Sequence, residues 1–357
     1  MYIIKNNYED KKMRLFDTRH NSNTVSFLMI VSFALVSCSK AKVMKEISFA
    51  EGFTKEYTSR TPEKEIARHP KDSVIAMVII DDIICSFNNF RYNNTTPAIK
   101  LASLSSPQIS KGFFSYGIEN GQMALPVFSF SEGKILVYDP MLKKIAVLDA
   151  KAASNTEGYE PVFMDTEIMS QRVSPFGERV IFINNFAFEG KEPLVLISDK
   201  NWSTKIRTEP FNYMNVMSGS LFSNNVGTRI GCARREIPEM VIFDKKAKPI
   251  IKMTFPHDPW EFEKIEYQGI TEYIMARSFN EIFYCGCGND HIFSLVYDDD
   301  GDQVLLVFDW EGNILDGFRT EGQIRRVSFS SDEKSIYAWE RIDEEDILNE
   351  YPLYIAK

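Results

Sequence analysis

A short unit recurs six times along the 357 residues: an alternating run, a tight turn built on Gly, Asn or Asp, and a second run of β-forming residues. Its clearest copies are 173–182 and 327–337, with less complete ones at 78–84, 131–138, 225–232 and 279–284. Taking Asp82, Gly133, Gly177, Gly227, Asn280 and Asp332 as turn centres, the intervals are 51, 44, 50, 53 and 52 residues. Such a period fits one four-stranded antiparallel blade per copy. Helices are not expected between the copies, because the intervening stretches 239–251 and 304–315 also read as strand, turn and strand. The chain is therefore expected to be all-β, a six-bladed β-propeller. Aromatics at 13%, with 27 Phe and 15 Tyr, agree with a strand-rich body.

After Tyr337 the chain holds only one further strand-like run, Tyr351 to Ile355, so the sixth blade lacks an outermost strand. An open edge invites pairing with other chains. The segment 47–66 is expected to supply the missing strand and close the ring. The domain reading is thus a signal segment at 1–37, a tether with the ring-closing strand at 38–70, and the propeller at 71–357.

The apolar stretch Val25 to Val36 is twelve residues long, too short for a mature helix across a hydrocarbon core of about 30 Å. Arg14, Arg19 and His20 precede it, and Leu35, Val36, Ser37 and Cys38 follow in the order of a bacterial lipobox. Cys38 is expected to be the acylated N-terminus, whether synthesis starts at Met1 or at Met13. Loss of residues 1–37 leaves 36 basic and 47 acidic side chains, a net charge of −11. That balance offers no footprint for a phosphate backbone, so nucleic acid is not an expected partner. The other cysteines, Cys85, Cys232, Cys285 and Cys287, lie in apolar runs and are read as buried free thiols, with a disulfide or metal site as the alternatives.

The hairpin 307–313 and the following stretch Ile324 to Tyr337 resemble the TolB-like six-bladed propeller lipoproteins of Bacteroidetes. The segment 112–122 is similar to that family's Gly-x-Gly-x-Gly-Pro-Glu turn, although its Pro and Glu are absent here. The resemblance implies a propeller and an envelope address and carries no settled activity. Surface-exported lipoproteins of that group carry an acidic tract after the acylated Cys, whereas this chain has Lys40 and Lys42. An outer-membrane anchor facing the periplasm is expected.

No His-Glu-x-x-His, Gly-x-Ser-x-Gly, phosphate-binding Gly-rich loop or Cys-x-x-Cys occurs. Of the histidines outside the signal segment, His69, His257 and His291, none has a second ligand pair spaced to help it hold a metal. The acidic run 298–302 lacks the alternation of a Ca²⁺ loop and reads as a solvated turn. The expected function is non-catalytic: a monomeric binding or scaffold propeller, with no cofactor, presenting channel-mouth loops to a glycan, peptide or envelope protein. Residues joining one blade to the next would gather at that mouth, namely Tyr116, Asn120, Tyr213, Trp260, Tyr267 and Arg325. The alternative is a Ca²⁺-dependent propeller hydrolase or lactonase using Asn120, Gln122, Asn212, Asn215, Glu266 and Gln268.

Overall fold

Among the described residues of the computed structural model of the protein, six blade sheets hold most of the strands: five have four antiparallel strands, and that of blade four carries a fifth, parallel one. Two further two-stranded sheets and, contrary to expectation, a short helix, Ala150–Asn155, lie outside these ladders. The structure describes residues 44–355 apart from 51–52, 71–73, 89–96, 120, 132, 167–172, 184–194, 199–204, 207–218, 225, 235–238, 257–261, 268–269, 276–283 and 298–300. Blade one comprises Val74–Ile80, Ile83–Asn88, Ile99–Ser103 and Ser106–Phe113. Blade two comprises Val127–Ser131, Lys134–Asp139, Lys144–Asp149 and Val162–Asp165. Blade three comprises Val173–Phe176, Arg179–Ile183, Val195–Ser198 and Lys205–Ile206. Blade four comprises Gly219–Ser223, Arg229–Arg234, Glu239–Asp244 and Pro249–Thr254. Blade five comprises Tyr284–Cys287, His291–Tyr297, Gln303–Asp309 and Ile314–Phe318. Blade six comprises Gln323–Phe329, Ser335–Ile342 and Glu345–Pro352, with Lys64–Pro70 as its outer strand.

The first strand of each blade is innermost, and these strands neighbour one another around the ring. Central strands read as continuous apolar runs because both faces are covered by adjacent blades. Val304, Leu305, Leu306, Val307 and Phe308 are all fully buried. The core accordingly divides into apolar clusters between neighbouring blades, such as Leu136, Tyr138 and Phe182 between blades two and three.

Each blade turns its inner hairpin on one face of the ring, here the turn face. The chain passes from blade to blade on the opposite, join face. Four expected turn centres have positive φ, at Asp82 (62°), Gly133 (71°), Gly177 (57°) and Gly227 (62°), and beside Asp332 it is Glu333 that does so (51°). The fifth is displaced. Blade five turns at Gly288 to Asp290, whereas Asn280 lies outside the described residues. A two-stranded hairpin, Phe262–Tyr267 with Ile270–Met275, intervenes between blades four and five and breaks the even spacing.

The closing strand also differs from expectation in its bounds. It runs over Lys64–Pro70, antiparallel to Glu345–Pro352. The segment before it is more than a tether: Lys45–Ser48 adds a fifth, parallel strand to blade four. Phe49 stacks on Phe255 at 4.8 Å, and Ser59 bridges to Arg319 at the end of blade five. Residues 44–50 and 53–70 therefore form a strap across blades four, five and six.

Candidate functional site

Innermost strands have one edge without a strand partner, leaving amides and carbonyls that need other hydrogen bonds. Serines supply several of them. Ser328 Oγ of blade six accepts from Ile79 N of blade one at 3.0 Å, and Ser220 Oγ of blade four accepts from Cys285 N of blade five at 3.2 Å. Ser223 Oγ donates to Pro175 O of blade three at 2.5 Å, and Cys287 Sγ donates to Ser223 O at 3.0 Å. These bonds stitch neighbouring blades where their apolar clusters end.

The strands line a central cavity of about 530 Å³. Its walls include Val78, Phe87, Phe128, Phe222 and Phe329, with Ser129, Ser220, Ser328 and Ser330 interspersed. Gly286 is required by the wall: a Cβ there would lie 2.5 Å from Phe293 Cζ, so only glycine lets that ring cover the strand. Toward the turn face the lining includes Asp81, Gly133, Gly288 and Glu333. Glu333 crosses from blade six to the blade-five turn, accepting from Asn289 N, from Asp290 N at 3.2 Å and sharing a 2.7 Å hydrogen bond with His291 Nδ1. His291 is thus part of a clasp between blades. Toward the join face the lining includes Pro126, Tyr284 and Arg326. The half-buried Arg326 guanidinium sits 5.1 Å from the Tyr284 ring centre and donates to Arg325 O at 2.9 Å. Among the described residues no carboxylate pairs with it.

The thiols do not offer an activated nucleophile. Cys85, Cys232, Cys285 and Cys287 are free, and burial pushes Cys85, Cys285 and Cys287 up, away from the reactive thiolate. Cys285 Sγ donates to Ser294 Oγ at 3.4 Å. With aromatic and aliphatic walls, hydroxyls, the Asp81 and Glu333 carboxylates toward the turn face and the Arg326 guanidinium toward the join face, the cavity can hold an anionic or hydrogen-bond-accepting group at the join mouth.

The sequence-derived site residues are distributed as follows. Tyr116 is half-buried, and its hydroxyl donates to Asn88 O at 2.8 Å, bracing the exit from blade one. Arg325 is exposed and sits at a β-bulge between Ile324 and Arg326, so its neighbour Arg326 is the one that lines the cavity. Tyr267 belongs to the extra hairpin, while its side chain, Asn120, Tyr213 and Trp260 lie outside the described residues, as does Cys38. Gln122 Oε1 accepts from Glu119 N at 3.0 Å within its own loop, and Glu266 lies on the hairpin outside the six blades. Asn212, Asn215 and Gln268 lie outside the described residues. Sequence reasoning passed over Arg326, Tyr284 and Glu333. The Gly288-Asn289-Asp290 triplet would have located blade five and with it Tyr284, while the bulge that turns Arg326 inward has no comparable signal.

This arrangement defines the class: a six-bladed β-propeller with a central cavity. No protein-family profile matches the chain. No curated protein matches it either. Among solved structures it is similar to a Bacteroides fragilis protein assigned as exported, at 12% identity and a TM-score of 0.53, covering 88% of this chain and 100% of that one. It is also similar to hydrazine synthase of Kuenenia stuttgartiensis, at 8% identity and a TM-score of 0.43 over 79% and 78% of the two chains. The WD40 propeller domain of Doa1 matches at 13% identity and a TM-score of 0.38 over 84% and 86%. At such identities the likeness to the Bacteroides fragilis protein concerns the fold alone.

Proposed function

We propose that the chain is a non-catalytic binding or scaffold propeller of the bacterial cell envelope, akin to the TolB-like lipoproteins. In this reading it is a monomer anchored by lipid at Cys38 in the outer membrane and facing the periplasm. Its ligand enters the central cavity from the join face, and the class favoured is an extended peptide, free or part of an envelope protein, that carries a carboxylate. The observation that carries the reading is the Arg326 guanidinium over Tyr284 at the join mouth of a cavity whose carboxylates, Asp81 and Glu333, lie toward the opposite, turn face. A guanidinium held by a ring and free of a carboxylate among the described residues suits bidentate pairing with one from a ligand. Apolar walls then accommodate alternate side chains of the segment.

A peptide array with acidic and amidated versions of each sequence, run beside a glycan array, tests this. Binding of acidic peptides that Arg326→Ala abolishes supports the reading. Binding confined to neutral glycans and indifferent to Arg326 would replace it with sugar recognition. Turnover of a lactone or phosphoester that requires Ca²⁺ would favour the enzyme alternative.

A further inference from the structure

The outer hairpin of blade four carries an unusual charge for so acidic a chain. Its turn, Asp244 to Lys248, exposes Lys245, Lys246 and Lys248 on the turn face. Arg229 pairs across the sheet with Asp244, and the strap strand begins beside the same end, with Lys45 opposite Ile251. Lys45 is exposed, and its Nζ donates to Glu311 O at 3.0 Å. Five cationic side chains therefore gather at one end of one blade. Among the described residues the carboxylates there include Asp244, the exposed Glu46 beside Lys45 and, on the next blade, Glu311; Asp244 is occupied by the amides of Lys246 and Lys248, both at 2.9 Å. Val226, 64% exposed, projects from the inner turn of the same blade on the same face.

The direction of the strap gives this patch a meaning. Lys45–Ser48 runs parallel to Pro249–Thr254, so the chain enters the fold at the turn face, beside the lysine turn. Six residues separate Cys38 from Lys45, and two of them are Lys40 and Lys42. Even fully extended, that link spans at most about 25 Å.

We infer that the blade-four rim of the turn face is a foot that rests on anionic phospholipid headgroups, directing the join mouth and its cavity away from the membrane. The inference rests on the lipid-anchor reading for its orientation, and on the lysine cluster for its chemistry. The other turns of that face bear Asp82, Asp290 and Asp332, which an anionic surface repels, so the blade-four rim and not the centre makes the contact. Three lysines at an anionic surface are worth about a hundredfold in partitioning, and salt removes that gain.

The test uses the processed protein, with vesicles of phosphatidylcholine alone or with phosphatidylglycerol added. Flotation with the neutral vesicles reports the lipid anchor. The rate of amine acylation at Lys245, Lys246 and Lys248 reports the foot, with the exposed Lys143 of the join face as the internal standard. Acylation of the three lysines is expected to slow several-fold on the anionic vesicles only, with Lys143 unchanged and high salt restoring the rate. Equal rates on both vesicles, or protection of Lys143 instead, would overturn the foot while leaving the anchor standing. If the protein does not float with neutral vesicles the anchor fails. In that case salt-sensitive flotation with anionic vesicles, lost in K245E/K246E/K248E, keeps the foot, and no flotation overturns it too.

Discussion

Replacing Arg60 by alanine should unfasten the strap. Arg60 Nη1 and Nη2 each reach Asp316 at 2.9 Å, and Nη1 also donates to Pro352 O at 2.9 Å. The guanidinium lies between two rings, 4.0 Å from Phe318 and 4.5 Å from Tyr354. Side-chain exposures of 14% for Arg60 and 8% for Asp316 make the pair partly buried and place it nearer to buried ion pairs than to surface ones. Removing one partner of such a pair costs about 3–5 kcal/mol, because the other charge stays buried without its counterion. At about 2.1 cal/mol/K per residue, a domain of about 300 residues melts with an entropy near 0.6 kcal/mol/K, so a loss of about 4 kcal/mol lowers Tm by about 6 °C. Desolvation pushes the Asp316 carboxyl up, but the Arg60 bonds and the amides of Tyr354 and Gly317 outweigh it and hold it below the ordinary range. Part of the deficit of Arg60→Ala should therefore vanish in acid, where Asp316 takes a proton. Scanning calorimetry of wild type, Arg60→Ala and Asp316→Ala, with Lys45→Ala as an exposed control expected within about 0.5 kcal/mol, measures this. A drop below about 1 °C for Arg60→Ala would mean that the strap contributes little to the cooperative unit.

Glu340 is fully buried, and burial raises its carboxyl to about 7 against the opposing pull of the neighbouring Tyr351 hydroxyl, a 3.3 Å hydrogen bond from Gly322 N and the Asn349 side chain. The folded state thus keeps a proton that the unfolded state releases. Stability should be complete below about pH 4.5, decline as pH rises and be down by about 3 kcal/mol above about 7, with Glu340→Gln removing the slope in urea titrations. A parallel pH profile for both proteins would show that Glu340 is already ionised. Gly286→Val should displace the Phe293 ring and cost about 1–3 kcal/mol by overpacking; an unchanged Tm would mean the wall is loose. Cys38→Ala should leave the precursor unprocessed or release protein from membranes, and unaltered fractionation would remove the lipid anchor from the account.

The sequence made most inner hairpins visible because their turns force positive φ, which narrows the residue choice at Asp82, Gly133, Gly177 and Gly227. Blade five escaped for a physical reason. The hairpin over 262–275 has the same two-residue alternation as a blade strand, so periodicity alone cannot tell an insertion from a repeat. The missing outer strand of blade six was legible as an absence, whereas the parallel strand at Lys45–Ser48 was not, being four mostly exposed residues without a turn to announce their partner. Arg60 and Asp316 are 256 residues apart, and no local pattern links them. At the cavity, the sequence pointed to the start of the sixth blade but to Arg325. The bulge between Ile324 and Arg326 shifts the alternation by one residue and exchanges which guanidinium faces the channel.

That exchange gives the proposed binding site its most direct measurement. The tightest acidic peptide from the array, titrated calorimetrically into wild type, Arg325→Ala and Arg326→Ala, compares two adjacent arginines of which one lines the cavity and the other faces solvent. Arg326→Ala is expected to weaken binding by about ten- to a hundredfold, the worth of a charge-assisted hydrogen bond, while Arg325→Ala changes it less than about threefold. Equal losses for both, or a loss confined to Arg325→Ala, would contradict this expectation and move the ligand out of the central cavity.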